Sequence, residues 1–450
     1  MLKPSTLALD VSDIQATVLR PRPSPYVGEY VVLRIDDAAQ GRAMLRRMIP
    51  YVATSDEWWL AKLPGWLGIA FTYQGLKALG LPQASLDSFP IEFRQGMAAR
   101  AAILHDFGSN APDNWEYPFG GSDMHVALAI YSDNEHHLSE VLERARQCHR
   151  DLSQVSVVYR MRFNELPGGR NPFGFRDGLH NPHVEGSVAE ENALVPGVSN
   201  PSIKAGEFVM GYPDEFGETA QAPIPDELRH NGTFVAFRKF HMDVAAFRKY
   251  LRAQASSSEE EELLAAKMVG RWRSGAPLAL TPDHDDPTLG GDANRNNDFS
   301  YADDMKGLKC PFSAHIRRIN PRDALKDDVV DVNLHKFLRR GTNYGSALPE
   351  GVLEDDGAER GGVFLLIGAH LQRQFEFVQS QWATDGNFIS HGTEQDPLIG
   401  NNEGEGVFTI PKRPVRRRLQ GLPRFVTVRG GEYCFMPGLR ALRWLAALTS

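Results

Sequence analysis

Cysteine is scarce in this chain: Cys148, Cys310 and Cys434 are the three among 450 residues. None sits in a CxxC or CxxCH arrangement, which excludes a covalently attached c-type haem and a cysteine-rich zinc site. A sparse, odd set of thiols also predicts a reducing compartment rather than a disulfide framework. Long apolar runs are missing, with nothing near the roughly 18 residues that a membrane-spanning helix needs. Residues 1–23 hold neither an apolar export core nor a twin arginine, so the expectation is a cytoplasmic protein without a membrane anchor. Basic charge is not in excess. The net charge of −8 argues against a nucleic-acid partner, because such proteins carry a basic face. Three common catalytic signatures are absent as well: GxxxxGK[ST] of a phosphate-binding loop, HExxH of a zinc hydrolase and GxSxG of a nucleophilic serine.

Hydrophobic residues make up 42% and charged residues 24%, an ordinary globular composition. The length exceeds that of a usual single domain, so two domains or one fused core are expected. Segments rich in β-branched and aromatic residues predict strands at 30–35, 125–131, 155–160, 232–240 and 363–367. Two more, at 425–428 and 433–436, flank Gly430-Gly431 and are expected to form a hairpin. Apolar residues at helical spacing predict helices at 38–48, 138–150, 244–255 and 256–273. The first follows the acidic pair Asp36-Asp37, and the last opens with serines and glutamates that suit a helix N-terminus. Residues 30–47 and 233–251 read as two copies of one strand–helix unit, which points to a duplicated α+β domain. The apolar C-terminal tail is expected to be a core-packing helix. Long loops run over 181–205, 281–307 and 347–362. The Asp/Asn-rich loop 281–307 is expected to be a solvated surface loop.

Three segments combine Gly and Pro with charged or imidazole groups: NPFGFRDGLHNPHVEG at 171–186, CPFSAHIRRINPR at 310–322 and LRRGTNYG at 338–345. Backbone held by Gly and Pro fixes side-chain directions, as a preorganised site requires. Singly, each reads two ways. Asp177 between glycines is a turn aspartate or an acid–base. His315 is a core imidazole or a metal ligand. Arg339 and Arg340 are a solvated pair or an anion holder.

Together, in this order, the three segments resemble the dye-decolourising peroxidase family, with its GxxDG motif at Gly174–Gly178, its AHIRR-x-NPR segment at 314–322 and its distal arginine at Arg339. FRQGMAARA, MVGRWRSGAPL, RQFEFVQSQW, DPLIG and RFVTVRGGEYCFMPG extend the resemblance over nearly the whole chain. The resemblance implies an α+β fold of two ferredoxin-like units of the dimeric α+β barrel type, antiparallel sheets with packed helices. Residues 1–220 would carry GxxDG and residues 221–450 would bind haem. It implies one haem b per chain with His315 on iron. The other ring nitrogen of His315 would donate to Asp396 or Glu394. Asp177 would act as acid–base, and Arg339 would stabilise developing charge and hold Asp177 ionised. Arg317, Arg322 and His180 would pair with the haem propionates, while Phe364 and Leu366 would line the distal pocket. Hydrogen peroxide would be reduced at the expense of small phenols or dyes, with an acidic optimum, and homo-oligomers fit the family. Two other readings are a haem carrier or iron-releasing protein on the same fold, and a haem-free binding module.

Overall fold

A computed structural model describes residues 8–449 apart from 57–63, 188–201, 326–329 and 388–391. Part of the 181–205 loop therefore lies outside the described residues.

Strands β1 (Val27–Ile35), β2 (Gly65–Phe71), β3 (Val126–Ser132), β4 (Val155–Asn164), β5 (Thr233–Met242), β6 (Leu338–Tyr344) and β7 (Gly361–Gly368) share one closed barrel with β10 (Val426–Met436). A two-stranded ribbon, β8 (Gly406–Ile410) and β9 (Arg417–Leu422), stands outside it. The barrel order is β1-β3-β2-β10-β5-β7-β6-β4, and every pairing is antiparallel. Cut at its two weakest seams, it falls into β4-β1-β3-β2 and β10-β5-β7-β6. Each set, numbered within its own half, has the order 4-1-3-2, so the duplication expected from sequence is a repeat of one sheet topology. The seams are single register points, Phe71 opposite Phe435 and Asn164 opposite Asn343.

Aromatic rings from both halves fill the barrel. The Tyr30 ring lies 4.6 Å from Phe163 and 5.5 Å from Phe237, and its hydroxyl is 3.2 Å from those of Tyr131 and Thr342. With period-2 alternation, Leu338 and Thr342 of β6 and Val363, Leu365 and Ile367 of β7 are buried in this structure. Arg339, Gly341, Phe364 and Leu366 take the opposite, outward face. The register sets Arg339 against Leu366 and Gly341 against Phe364. With no room inside, the barrel presents its site on this outer face.

The helices follow their local signals. Asp37 accepts Gln40 N–H at 2.8 Å to cap helix Ala38–Met48, which buries Gly41, Met44, Leu45 and Met48. Helix Glu135–Gln147 begins at Asn134, earlier than expected. Asp243 caps Val244–Gln254 and Ser257 caps Ser258–Val269. The second of these stops short of the expected residue 273, because Gly270 turns left-handed at φ +97°. The tail forms helix Leu439–Ala447, and Arg46 donates to its Ala446 carbonyl at 2.6 Å.

Three expectations need correction. Gly430-Gly431 is not a hairpin turn: β10 runs through it, paired with β5 along its length, with a bulge between Val428 and Gly430. The glycines permit close approach instead, since a Cβ on Gly430 would stand 2.4 Å from the Phe119 ring and one on Gly431 2.3 Å from the Met97 sulfur. Within the 338–345 segment, Leu338–Tyr344 form strand β6 rather than a turn, and only Gly345 beyond it turns left-handed at φ +77°. Loop 281–307 is solvated only in part: 283–285 and 293–295 are exposed, but Leu289, Asn296, Asn297, Phe299, Tyr301 and Asp304 are buried. Among the described residues, no helix is long and apolar enough to cross a membrane.

Candidate active site

His315 opens the short helix His315–Ile319, which packs against the end of helix Ser258–Val269. A Cβ on Gly270 would stand 2.4 Å from Ile316 Cγ1. Glycine is thus required there twice, for its positive φ and for the close approach that seats the histidine helix. His315 Nδ1 lies 2.8 Å from Asp396 Oδ2. Asp396 is fully buried, and its Oδ1 accepts the backbone N–H groups of Leu398 and Ile399 at 2.8 and 3.0 Å. Burial works to raise its pKa, but His315 and those donors outweigh it and hold the carboxyl below its ordinary range. Of the two candidate partners the structure therefore pairs His315 with Asp396. Glu394 instead accepts Ser313 Oγ at 2.8 Å and Thr409 N–H at 3.1 Å. With Nδ1 engaged, Nε2 is the ring nitrogen left for the cavity that His315 lines.

Asp177 and Arg339 line the same cavity. Asp177 follows β4 in the GxxDG turn, whose glycines both need left-handed backbone, φ +89° at Gly174 and +71° at Gly178. Asp177 Oδ1 accepts Gly178 N–H at 2.7 Å, and Oδ2 receives Arg22 Nη2 at 2.9 Å. Arg339 is not its ion-pair partner. That guanidinium donates to the His180 carbonyl at 2.7 Å and lines the cavity. Burial depresses the Arg339 pKa while the charge of Asp177 opposes this, so the two groups sense each other across the gap. Arg22 was not anticipated from sequence. It lies 155 residues from Asp177, and only the LRPRP context marks it.

A group of cations shares the cavity rim. Asn297 Oδ1 accepts Arg271 Nη2 at 3.0 Å and Arg322 Nη2 at 2.6 Å. Two guanidiniums can face only the amide oxygen, so the Asn297 NH2 points at His180 Nδ1, 2.7 Å away, and Nε2 of His180 carries its proton. Burial pushes the His180 pKa well below its usual value, and Arg322, Arg339, Lys336 and Arg271 push it further. Burial also lowers Lys336 to about 8 and Arg271 to about 10. Asp177 is the carboxylate among the described lining residues. Positive charge stripped of water and left without counter-charge is costly. This cavity is therefore suited to a ligand that brings negative charge to the rim and apolar surface to Val269, Ile316, Ile319 and Phe364.

Two expected site residues fall elsewhere. Arg317 is fully buried away from the cavity: it binds the Asp304 carboxylate at 3.0 Å and the Cys310 carbonyl at 2.7 Å, sandwiched by the Tyr301 and Phe312 rings. Its donors are buried away from the cavity, and it braces the loop before His315. Leu366 shares the face of Arg339 but packs against the main core instead of lining the cavity. Phe364 does line it, and Gly341 makes room, since a Cβ there would stand 2.9 Å from the Phe364 ring. Asn297 and Lys336 were missed because neither sits in a motif, and Arg271 because MVGRWRSGAPL marks the segment without marking which residue faces the cavity.

A family model described as the DyP dimeric alpha+beta barrel domain matches residues 13–164. The chain is similar to the dye-decolorizing peroxidase msp1 of Mycetinis scorodonius, 31% identical over 480 residues that cover 98% of this chain and 88% of the relative. Among solved structures it resembles an ancestral D-type dye decolorizing peroxidase, with TM-score 0.85, 28% identity and coverage of 98% and 100% of the two chains. A dye-decolorizing peroxidase in complex with 2,6-dimethoxyphenol gives TM-score 0.84 at 28% identity, with the same coverage.

Proposed function

The chain belongs to the dye-decolourising peroxidase family and is a peroxidase, and from this premise we propose that it holds one haem b with His315 as the iron ligand. The members of this family are haem enzymes, and the cavity's chemistry suits that group. An imidazole nitrogen stands free on one wall, apolar side chains line the interior, and the partly desolvated basic groups at the rim suit two propionates. His180, Arg271, Arg322 and Lys336 are the residues that would receive them.

The observation that carries this reading is the His315–Asp396 pair at 2.8 Å, in the same cavity as Asp177 and Arg339. Asp396 makes the imidazole more electron-donating and fixes its orientation. When bound, haem supplies the redox chemistry of peroxide reduction, drawing single electrons from phenolic or dye-like donors. Asp177 takes a proton from one peroxide oxygen and returns it to the other. Its two oxygens are held by Gly178 N–H and Arg22, so the carboxylate is aimed before substrate arrives. Arg339 directs its positive charge at the oxygen on which negative charge develops. A carboxylate in place of a distal imidazole favours activity at acidic pH, and an optimum below neutral is expected.

Reductants of the 2,6-dimethoxyphenol kind suit this chain, a cytoplasmic setting agrees with its few unpaired thiols, and a homo-oligomer is consistent with the family. The two structural units divide near 220/221, between β4 and β5. The decisive test is spectroscopic. Purified protein is expected to show a Soret band that His315→Ala abolishes, while Asp177→Ala keeps the band and loses about 10²-fold or more of peroxidase turnover. Full turnover in Asp177→Ala would refute the acid–base role of Asp177, a Soret band without peroxidase turnover in wild type would favour a haem carrier, and the lack of a Soret band a haem-free module.

A further inference from the structure

A second, partly open cavity of about 580 Å³ meets the first along Arg176, Asp177, Gly178 and Arg339. Six arginines line it: Arg22, Arg170, Arg176, Arg273, Arg339 and Arg340, against two carboxylates, Glu165 and Asp177. In a chain of net charge −8 this is a local reversal of sign. Arg22 is paired with Asp177, and Arg273 with Glu262 at 2.6 Å. The other four bind backbone carbonyls among the described residues. Arg170 donates to Gly174 O at 2.6 Å, Arg176 to Gly290 O at 2.9 Å, Arg339 to His180 O and Arg340 to Val18 O at 2.6 Å. A carbonyl satisfies one donor but cannot neutralise a guanidinium, which has five N–H groups to place. Arg170 and Arg176 are exposed at this cavity, so their remaining donors are accessible.

Hydrogen peroxide explains neither the size nor the charge of this space. It is neutral and about as large as two waters, each roughly 30 Å³ in bulk. An aromatic electron donor is also a poor match. Tyr26 is the aromatic residue among the lining, and the Arg22 guanidinium already lies 4.4 Å over its ring. The inner wall is formed by the two groups proposed to act on the O–O bond.

We propose that this cavity is a vestibule for peroxides that carry their own carboxylate, whose anionic end rests on Arg170 and Arg176 while the O–O end reaches Asp177 and Arg339. The inference rests on the proposed roles of Asp177 and Arg339 and adds a class of oxidant to them. The overall step balances as for hydrogen peroxide. R–O–O–H accepts two electrons and two protons, the O–O bond breaks, and R–OH and water leave. The electrons come singly from two molecules of phenolic reductant. The arginines do no chemistry. They raise the local concentration of the anion and orient it, an effect that salt screens.

The test uses holoenzyme with a neutral phenol as reductant and three oxidants: hydrogen peroxide, perbenzoic acid and monoperoxyphthalate, the last differing from the second by a carboxylate. In Arg170→Gln, kcat/KM for monoperoxyphthalate is expected to fall about tenfold or more, from the loss of a charge-assisted hydrogen bond. The other two oxidants should be unaffected. Arg170→Lys keeps the charge and should retain most of the preference, and added salt should erode it in the wild type. Independently of turnover, unreactive phthalate should bind holoenzyme in a calorimetric titration and bind Arg170→Gln about tenfold more weakly or worse. No phthalate binding to wild type, or an equal loss for all three oxidants, would overturn the vestibule. Loss of the Soret band or of hydrogen peroxide turnover in the wild type would instead strike at the proposed function itself.

Discussion

Asp396 and Asn297 exert their influence through neighbours. Asp396 is wholly buried and accepts from His315 and two backbone N–H groups. With haem held at His315 as proposed, the negative charge of Asp396 would stabilise the more oxidised, more positive iron. Asp396→Asn is expected to raise the reduction potential of the bound haem by roughly 60 mV or more, a tenfold shift for one electron, read by spectroelectrochemistry. An unchanged potential would mean that Asp396 only orients the ring. Asn297 joins Arg271, Arg322 and His180 through one amide. Asn297→Ala leaves two buried guanidiniums without their shared acceptor, and haem is expected to dissociate about tenfold faster or more. The measurement is transfer to an acceptor apoprotein, with the Soret maximum unmoved because His315 is untouched. Arg317 teaches the opposite lesson. Its side chain matches carboxylate geometry in principle, yet Asp304 and two aromatic rings already occupy it.

At the scale of elements, the site depends on where helices stop. Helix Ser258–Val269 ends at Gly270, which frees Arg271 to turn into the cavity and lets helix His315–Ile319 dock. Gly270→Ala adds a methyl 2.4 Å from Ile316 on a backbone at φ +97°. It is expected to cost about 1–3 kcal/mol in denaturant unfolding and to lower haem occupancy; wild-type stability in this variant would show that the helices can separate freely. Two helix caps were legible in the sequence, at Asp37 and Ser257, because each bonds an N–H three residues on, whereas the caps at Asn134 and Asp243 were not read. Strand β2 was not legible. Gly65 and Gly68 interrupt its apolar pattern, and Gly68 is demanded by a neighbour, since a Cβ there would stand 2.4 Å from Thr17 Oγ1. Strand β6 was hidden for a related reason: LRRGTNY buries arginine, threonine and asparagine with partners supplied from elsewhere in the chain.

At the scale of the whole molecule, the two halves meet through the packed barrel, and its buried acids tie stability to pH. Burial raises Glu432, on β10, from 4.5 to about 7, although the N–H groups of Met97 and Tyr433 bond it. Between pH 4.5 and about 7 the unfolded chain releases this proton before the folded one does. The native state then binds more protons, so this residue's contribution to stability falls as pH rises through that window. Glu432→Gln removes the contribution. Relative to wild type, the variant is expected to gain in Tm on going from pH 5 to pH 7, as measured by calorimetry; a parallel pair of Tm curves would mean that Glu432 titrates normally in the folded protein. Comparing the two proteins isolates this residue from the buried histidines, His370 among them at about 4, whose linkage runs the other way.

By itself the sequence determined the local elements, the repeat of one α+β unit and the order of three motifs, because helical period, strand alternation, caps and GxxDG turns are written within a few consecutive residues. Tertiary structure alone decided which carboxylate meets His315, 81 residues away, and that Arg22 rather than Arg339 holds Asp177. It also turned part of the Asp/Asn loop from surface into the wall that orders the cations. Such pairings depend on the path of the folded backbone and on which competing partner reaches a charge first, and neither is encoded in the spacing of residues along the chain.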